Sequence, residues 1–164
     1  MGLRPTKIFV RAIAGAALVI VLCQIAQAQS APFAGMAGSW SGGGRVDLQD
    51  GTSERIRCRA SYAVGSGGDT LQQQLRCAGD SYRFEVTSSV ESRAGSLSGN
   101  WSEMTRNVSG QISGRVAAGR IHARVDAGVF AADLTVHTSG AQQSVSIVPQ
   151  GTDIKIVAVT MRKS

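Results

Sequence analysis

From residue 38 onward, apolar and polar side chains alternate with a period of two along almost the whole chain, as in strands that bury one face. Trp40, Gly42, Gly44, Val46 and Leu48 share one phase, and Arg45 and Asp47 occupy the other. After a turn at Asp50-Gly51, Ile56, Cys58, Ala60, Tyr62 and Val64 point one way while Arg55, Arg57, Arg59 and Ser61 point the other. Beyond the loop Gly65 to Asp69, Leu71, Leu75 and Cys77 oppose Gln72, Gln74 and Arg76. The turn Ala78-Gly79-Asp80-Ser81 leads into Tyr82, Phe84, Val86 and Val90, opposed by Arg83, Glu85 and Glu91. Leu97 to Thr105 and Val108 to Val116 are weaker strands with repeated Ser-Gly pairs. A hairpin about Ala127-Gly128 sets Ile121, Ala123 and Val125 against Leu134, Ala132 and Phe130. Two closing strands, Gln142 to Val148 and Asp153 to Met161, are joined through Pro149-Gln150-Gly151.

No segment of this region keeps a helical period. With aromatic residues at 5% and 20 glycines in the chain, the core must be built mainly from Val, Ile, Leu and Ala. The expectation is an all-β domain over 38–164, a single antiparallel meander of eight to ten strands. It must hide its edges as a small barrel or a sandwich. A lead segment, 29–37, holds at most a helical turn because Pro32 discourages regular structure.

Residues 1–28 have a different character. Arg4, Lys7 and Arg11 precede an apolar run from Ala12 to Ile25, followed by Ala26-Gln27-Ala28, the small-residue pattern of a signal-peptidase site. The run is shorter than the roughly 20 residues of a spanning helix, so no transmembrane span is expected after processing. Leu22 before Cys23 does not fit bacterial lipoprotein processing. The expected mature chain starts at Gln29 and is periplasmic or secreted.

Removing the leader cations leaves fourteen basic residues against eleven acids, a balance that gives no reason to expect nucleic-acid binding. It also leaves two cysteines, Cys58 and Cys77. If their hairpin folds about Gly67-Gly68, Val64 faces Leu71, Ala60 faces Leu75 and Cys58 faces Cys77, so one register buries the apolar side chains and joins the thiols. A structural disulfide is expected.

Gly38-Ser39-Trp40 at the start of the first strand, with Arg162 at the end of the last, resembles the calycin barrels, the lipocalins and their relatives. The resemblance implies that Trp40 closes the barrel and that a basic side chain, Arg162, covers it. Size, export and a single disulfide are similar to the Inh-type periplasmic protease inhibitors, which implies that Gln29 to Phe33 would enter a protease cleft. Gly99-Asn100-Trp101-Ser102 echoes the first tryptophan motif and leaves open two similar halves.

Candidate chemistry is sparse. His122 and His137 lie in the polar phase, and the hairpin register sets His122 opposite Asp133, but no motif ties a nucleophile to the pair. No metal-ligand spacing is present, and Ser41-Gly42-Gly43-Gly44 precedes no helix as a phosphate loop would. The expectation is no catalytic site, no metal and no cofactor. An outer-membrane barrel is excluded by Arg and Glu in the outward phase. With Cys77 facing Tyr82, Arg59, Arg76 and Arg83 line up across three strands with Arg57 beside them, a candidate surface for an anionic envelope component or protein. The resulting expectation is a non-catalytic exported protein that binds a ligand or an envelope partner, with protease inhibition as the alternative and an enzyme of unknown class as a remote one.

Overall fold

The computed structural model describes residues 31–164, together with Gly2. Apart from Gly2, the leader 1–28, with the cleavage site and Cys23, lies outside the described residues. The described chain opens with a short 3-10 turn, Ala34–Met36, and continues as ten strands. These are β1 Gly38–Leu48, β2 Ser53–Val64, β3 Thr70–Ala78, β4 Arg83–Arg93, β5 Ser96–Glu103, β6 Val108–Ala117, β7 Arg120–Asp126, β8 Ala131–Ser139, β9 Gln142–Gln150 and β10 Ile154–Lys163. Each pairs antiparallel with the next, and β1 pairs with β10, so the meander closes into a barrel rather than a sandwich. No described helix is long and apolar enough to cross a membrane.

The faces expected on β1 to β4 are the ones observed. Ile56, Cys58, Ala60 and Tyr62 are buried in the barrel, while Arg55, Arg57, Arg59 and Ser61 are exposed. Cys58 faces Cys77 with Cα atoms 4.1 Å apart and a disulfide between them, and Ala60 and Val64 face Leu75 and Leu71 as the sequence requires. Pro149 differs in belonging to β9, where it is buried against Ala132, rather than to the following turn.

Two registers differ from the expected ones by two residues. Cys77 faces Phe84 and Ala78 faces Arg83, which places Arg76 opposite Glu85 instead of Arg83. The cause lies on another strand: the Glu54 carboxylate accepts the Ser81 and Tyr82 amides at 2.7 and 3.2 Å and fixes the turn one residue later at each end. In the second hairpin, Ile121 faces Val136 and Ala123 faces Leu134. There Asp126 accepts the Gly128 amide at 2.8 Å, which moves Phe130 out of the ladder into the turn. The expected His122–Asp133 pair is therefore absent: His122 opposes Thr135, and Arg124 opposes Asp133 at 3.4 Å.

One end of the barrel is plugged. Phe33 is fully buried and Met36 nearly so, and the Phe33 amide donates to Gly68 O at 3.0 Å in the β2–β3 loop. Trp40, 1% exposed, donates its indole N–H to Met36 O at 2.7 Å. The inward-facing Gly42 and Gly44 let β10 approach, since a Cβ on either would fall within 2.0 to 2.1 Å of a β10 carbonyl oxygen. Trp40 thus has the closing role expected of it, but Arg162 does not cover it. Trp40 pairs with Lys163, whose Nζ lies 5.7 Å from the ring centroid; alternation turns Arg162 outward, opposite Ser41.

Candidate functional site: the barrel interior

On β4, β6 and β7 the inward-facing side chains are buried nearer the plugged end and half-buried toward the other, whereas Val46, Ile56, Cys77, Ala132 and Val157 are buried toward that other end. On β4, Val90 and Ser92 are buried, whereas Ser88, Val86 and Phe84 are partly exposed. On β6, Val116 and Ile112 are buried and Val108 is not; on β7, Ile121 and Ala123 are buried and Val125 is not. Gln143 on β9 is wholly buried, while Val145 and Ile147 are partly accessible. Leu75, Leu134, Val145 and Ile147, in mid-strand on the inner face, are half-buried. Ten strands leave more room than the eight that already hold one small ligand in known barrels.

The end away from the plug is formed by the β1–β2, β3–β4, β5–β6, β7–β8 and β9–β10 turns. Its rim carries the large exposed apolar side chains Met104 and Val129, at 62% and 93% exposure. Tyr82 and Phe84 stack at 6.1 Å, and the Arg106 guanidinium lies 5.1 Å over the Phe84 ring. Burial opposes ionisation of Glu103, yet the Thr105 hydroxyl and the amides of Glu85, Arg106 and Thr105 outweigh it and hold this carboxyl below its ordinary 4.5. Glu103 therefore braces the β5–β6 turn and has little capacity left for a ligand.

The polar groups facing inward fall into two sets. At the plugged end Tyr62 Oη donates to Gln143 Oε1 at 2.7 Å, and Gln143 Nε2 donates to Thr138 Oγ1 at 3.0 Å. Burial pushes the Tyr62 phenol far above its ordinary 10.0, so it remains a neutral donor. Farther along, Gln73, Ser88 and Trp101 occupy one cross-strand row on β3, β4 and β5. Ser88 donates to Gln73 Oε1 at 3.0 Å. Trp101 Nε1 is buried with no hydrogen-bond partner, its ring edge against Phe130 at 6.0 Å.

A hollow of about 700 Å³, open to solvent, lies at the plugged end among Ala31, Pro32, Met36 and the tips of the β4–β5, β6–β7 and β8–β9 hairpins. Its walls are small residues, with Thr138 their single polar side chain, so little in it could orient a ligand.

On the outer wall, the row Arg162, Ser41, Arg59, Arg76, Glu85 crosses β10 to β4. Arg57 lies in the next row between Gly43 and Ala78, and Arg83 beyond Ala78. Arg59 faces Arg76 as expected, while Arg83 is displaced and Arg76 is held by Glu85 at 2.6 Å. The described residues include no metal-binding group of His, Cys, Asp or Glu.

No family model matches the chain, and no curated protein does. Solved structures do. Rv2717c from M. tuberculosis superimposes with a TM-score of 0.64 at 14% identity, over 80% of this chain and 94% of its own. The S-type phycobiliprotein lyase CPES from Guillardia theta gives 0.55 at 9% identity, over 80% and 90% respectively. Both are lipocalin-like β-barrels, in line with the calycin-type resemblance; at these identities the likeness is one of fold.

Proposed function

We propose that this protein is an exported, periplasmic, non-catalytic barrel that takes up a small apolar ligand through the end opposite the plug. The observation that carries this reading is the set of inward apolar side chains that are only half-buried, Leu75, Val86, Val108, Leu134, Val145 and Ile147. Apolar walls with few polar groups suit a ligand transferred out of water by its own hydrophobicity. N-phenyl-1-naphthylamine, whose emission rises in apolar surroundings, should bind the oxidised 29–164 protein. Leu134→Trp, which enlarges one of these side chains, should weaken binding at least tenfold while thermal stability is kept. Absence of binding up to roughly 0.1 mM, a free energy weaker than about −5.5 kcal/mol, would refute the reading. Export itself is tested by the intact mass of the secreted protein: cleavage after Ala28 supports it, and a form retaining Cys23 opposes it.

Inhibition of a protease by an inserted N-terminal segment is disfavoured by the burial of Phe33, which would have to leave the barrel to reach a cleft. A second reading has its own observation. The wall from β10 to β4 carries Arg45, Arg55, Arg57, Arg59, Arg76, Arg83 and Arg162, whereas the carboxylates paired with them are Asp47 and Glu85. So much unneutralised charge on a convex surface suits a flexible polyanionic polysaccharide of the envelope better than a flat membrane. Dextran sulfate should bind with a steep salt dependence that the double change Arg59→Gln and Arg162→Gln flattens. Preference for phosphatidylglycerol vesicles, or indifference to both substitutions, would overturn it.

A further inference from the structure

The row Gln73, Ser88, Trp101 deepens the ligand-binding reading and rests on it. These three residues are successive cross-strand neighbours, all inward-facing, and the next inward pair toward the end away from the plug is Leu75 with Val86. Ser88 donates its hydroxyl to Gln73 Oε1, which leaves the Gln73 Nε2 hydrogens without a partner among the described residues. On the far side of Ser88, Trp101 is 8% exposed and its indole N–H is unpaired. A buried donor without an acceptor is uncommon and costly, and Trp101 Nε1–H is one, with the half-buried Gln73 amide on the other side of the same serine.

The other tryptophan shows what satisfaction looks like. Trp40 occupies the matching inward position at the plugged end and has Met36 O at 2.7 Å. Trp101 lacks such an acceptor and has the Phe130 ring instead, on the turn whose tip, Val129, is 93% exposed. Displacement of Phe130 by an incoming molecule would open the N–H to an oxygen.

The sign of the missing partner follows from the charges. Among the described inward positions, the nearest carboxylate, Glu103, is occupied by the β5–β6 turn; Arg106, over the Phe84 ring, is matched by that carboxylate at 3.7 Å, and Lys163 is held at the plugged end near Trp40 and Gly35 O. A carboxylate or phosphate brought beside Trp101 would therefore be buried without a counter-charge. We infer that the barrel ligand is a neutral apolar molecule with a carbonyl-type acceptor oxygen, and that Trp101 Nε1–H and the Gln73 amide are the donors that hold it.

Two probes separate this inference from the reading beneath it. Prodan, a naphthyl ketone, carries the acceptor; N-phenyl-1-naphthylamine has a similar apolar body and no carbonyl. Trp101→Phe and Gln73→Leu should each weaken prodan binding about tenfold, shift bound prodan emission to the blue, and leave N-phenyl-1-naphthylamine binding within twofold. In the unsubstituted protein, the Trp101 indole N–H resonance should move downfield with prodan and stay nearly fixed with the amine probe, while that of Trp40 stays fixed with both. This measurement decides the matter even if a variant fails to fold. If the amine probe binds but prodan is insensitive to both substitutions, or leaves the Trp101 resonance unmoved, the donor assignment is wrong and the apolar site stands. If neither probe binds, both readings fall.

Discussion

Tyr62→Phe isolates a single buried hydrogen bond that ties strands far apart in sequence. Tyr62 on β2 is 6% exposed and Gln143 on β9 is 0% exposed, with 2.7 Å between Oη and Oε1. The substitution keeps the ring and its edge-on packing against Trp40, centroid to centroid 6.3 Å, and removes only the hydroxyl. Gln143 Oε1 then loses its donor in a place water does not reach, while Nε2 stays engaged with Thr138. The lost bond and the orphaned acceptor together should cost about 2 kcal/mol, lowering Tm by roughly 5 to 10 °C in a domain of this size. Guanidinium denaturation followed by tryptophan emission measures it, provided the slope with denaturant is unchanged. Gln143→Leu in the same background removes the orphan, so the double variant should be more stable than the two single losses added together, by roughly 1 to 2 kcal/mol. A Tyr62→Phe protein within about 0.5 kcal/mol of the original, or strictly additive single losses, would refute the reasoning.

Replacing Cys58 and Cys77 by alanine should lower stability by about 3 kcal/mol, and the unfolded, non-reduced protein should titrate no free thiol. Trp40→Ala should cost roughly 3 to 5 kcal/mol, because it empties the space beneath Met36 where β1 meets β10; calorimetry checks it. Glu103 has a folded-state pKa below its ordinary 4.5, so its contribution is complete above that value and is lost as pH falls through the folded pKa. Acid titration of Glu103→Gln should accordingly show a shallower loss of stability below about pH 4.5 than the unsubstituted protein.

The faces of β1 to β4 were legible in the alternation, and so was the β2–β3 register, because there burial and the cysteine pair agree on one alignment. The β3–β4 and β7–β8 registers were not. A slip of two residues leaves every side chain on its own face, so alternation cannot detect it. What decides between the alternatives is a carboxylate clamping the turn: Glu54 from a neighbouring strand in one case and Asp126 in the other. The cover over Trp40 was one residue away from the expected Arg162, since the ladder runs on to Lys163. The echo between the two tryptophan motifs was real but did not mean two halves; both rings point into one barrel, on β1 and β5. The interior row also left a trace. Gln73 and Ser88 interrupt the apolar phases of their strands, and such breaks in two adjacent strands could have been aligned. Their pairing depends on the β3–β4 register, which alternation alone does not fix.

The seam between β1 and β10 has a consequence for the order of events in folding. It joins Trp40 to Lys163, nearly the full span of the domain, whereas every other ladder links neighbours in the chain. Nine hairpin pairings can form locally and early, but the last must wait until the final strand is available, and it bears the largest loop-closure entropy. Until then the growing sheet has two free edges, each able to pair with another molecule. Closure should therefore be the slow step, with Trp40 reporting it as its indole passes under Met36. A chain truncated before Ile154 should keep its hairpins and aggregate through the exposed edges of β1 and β9.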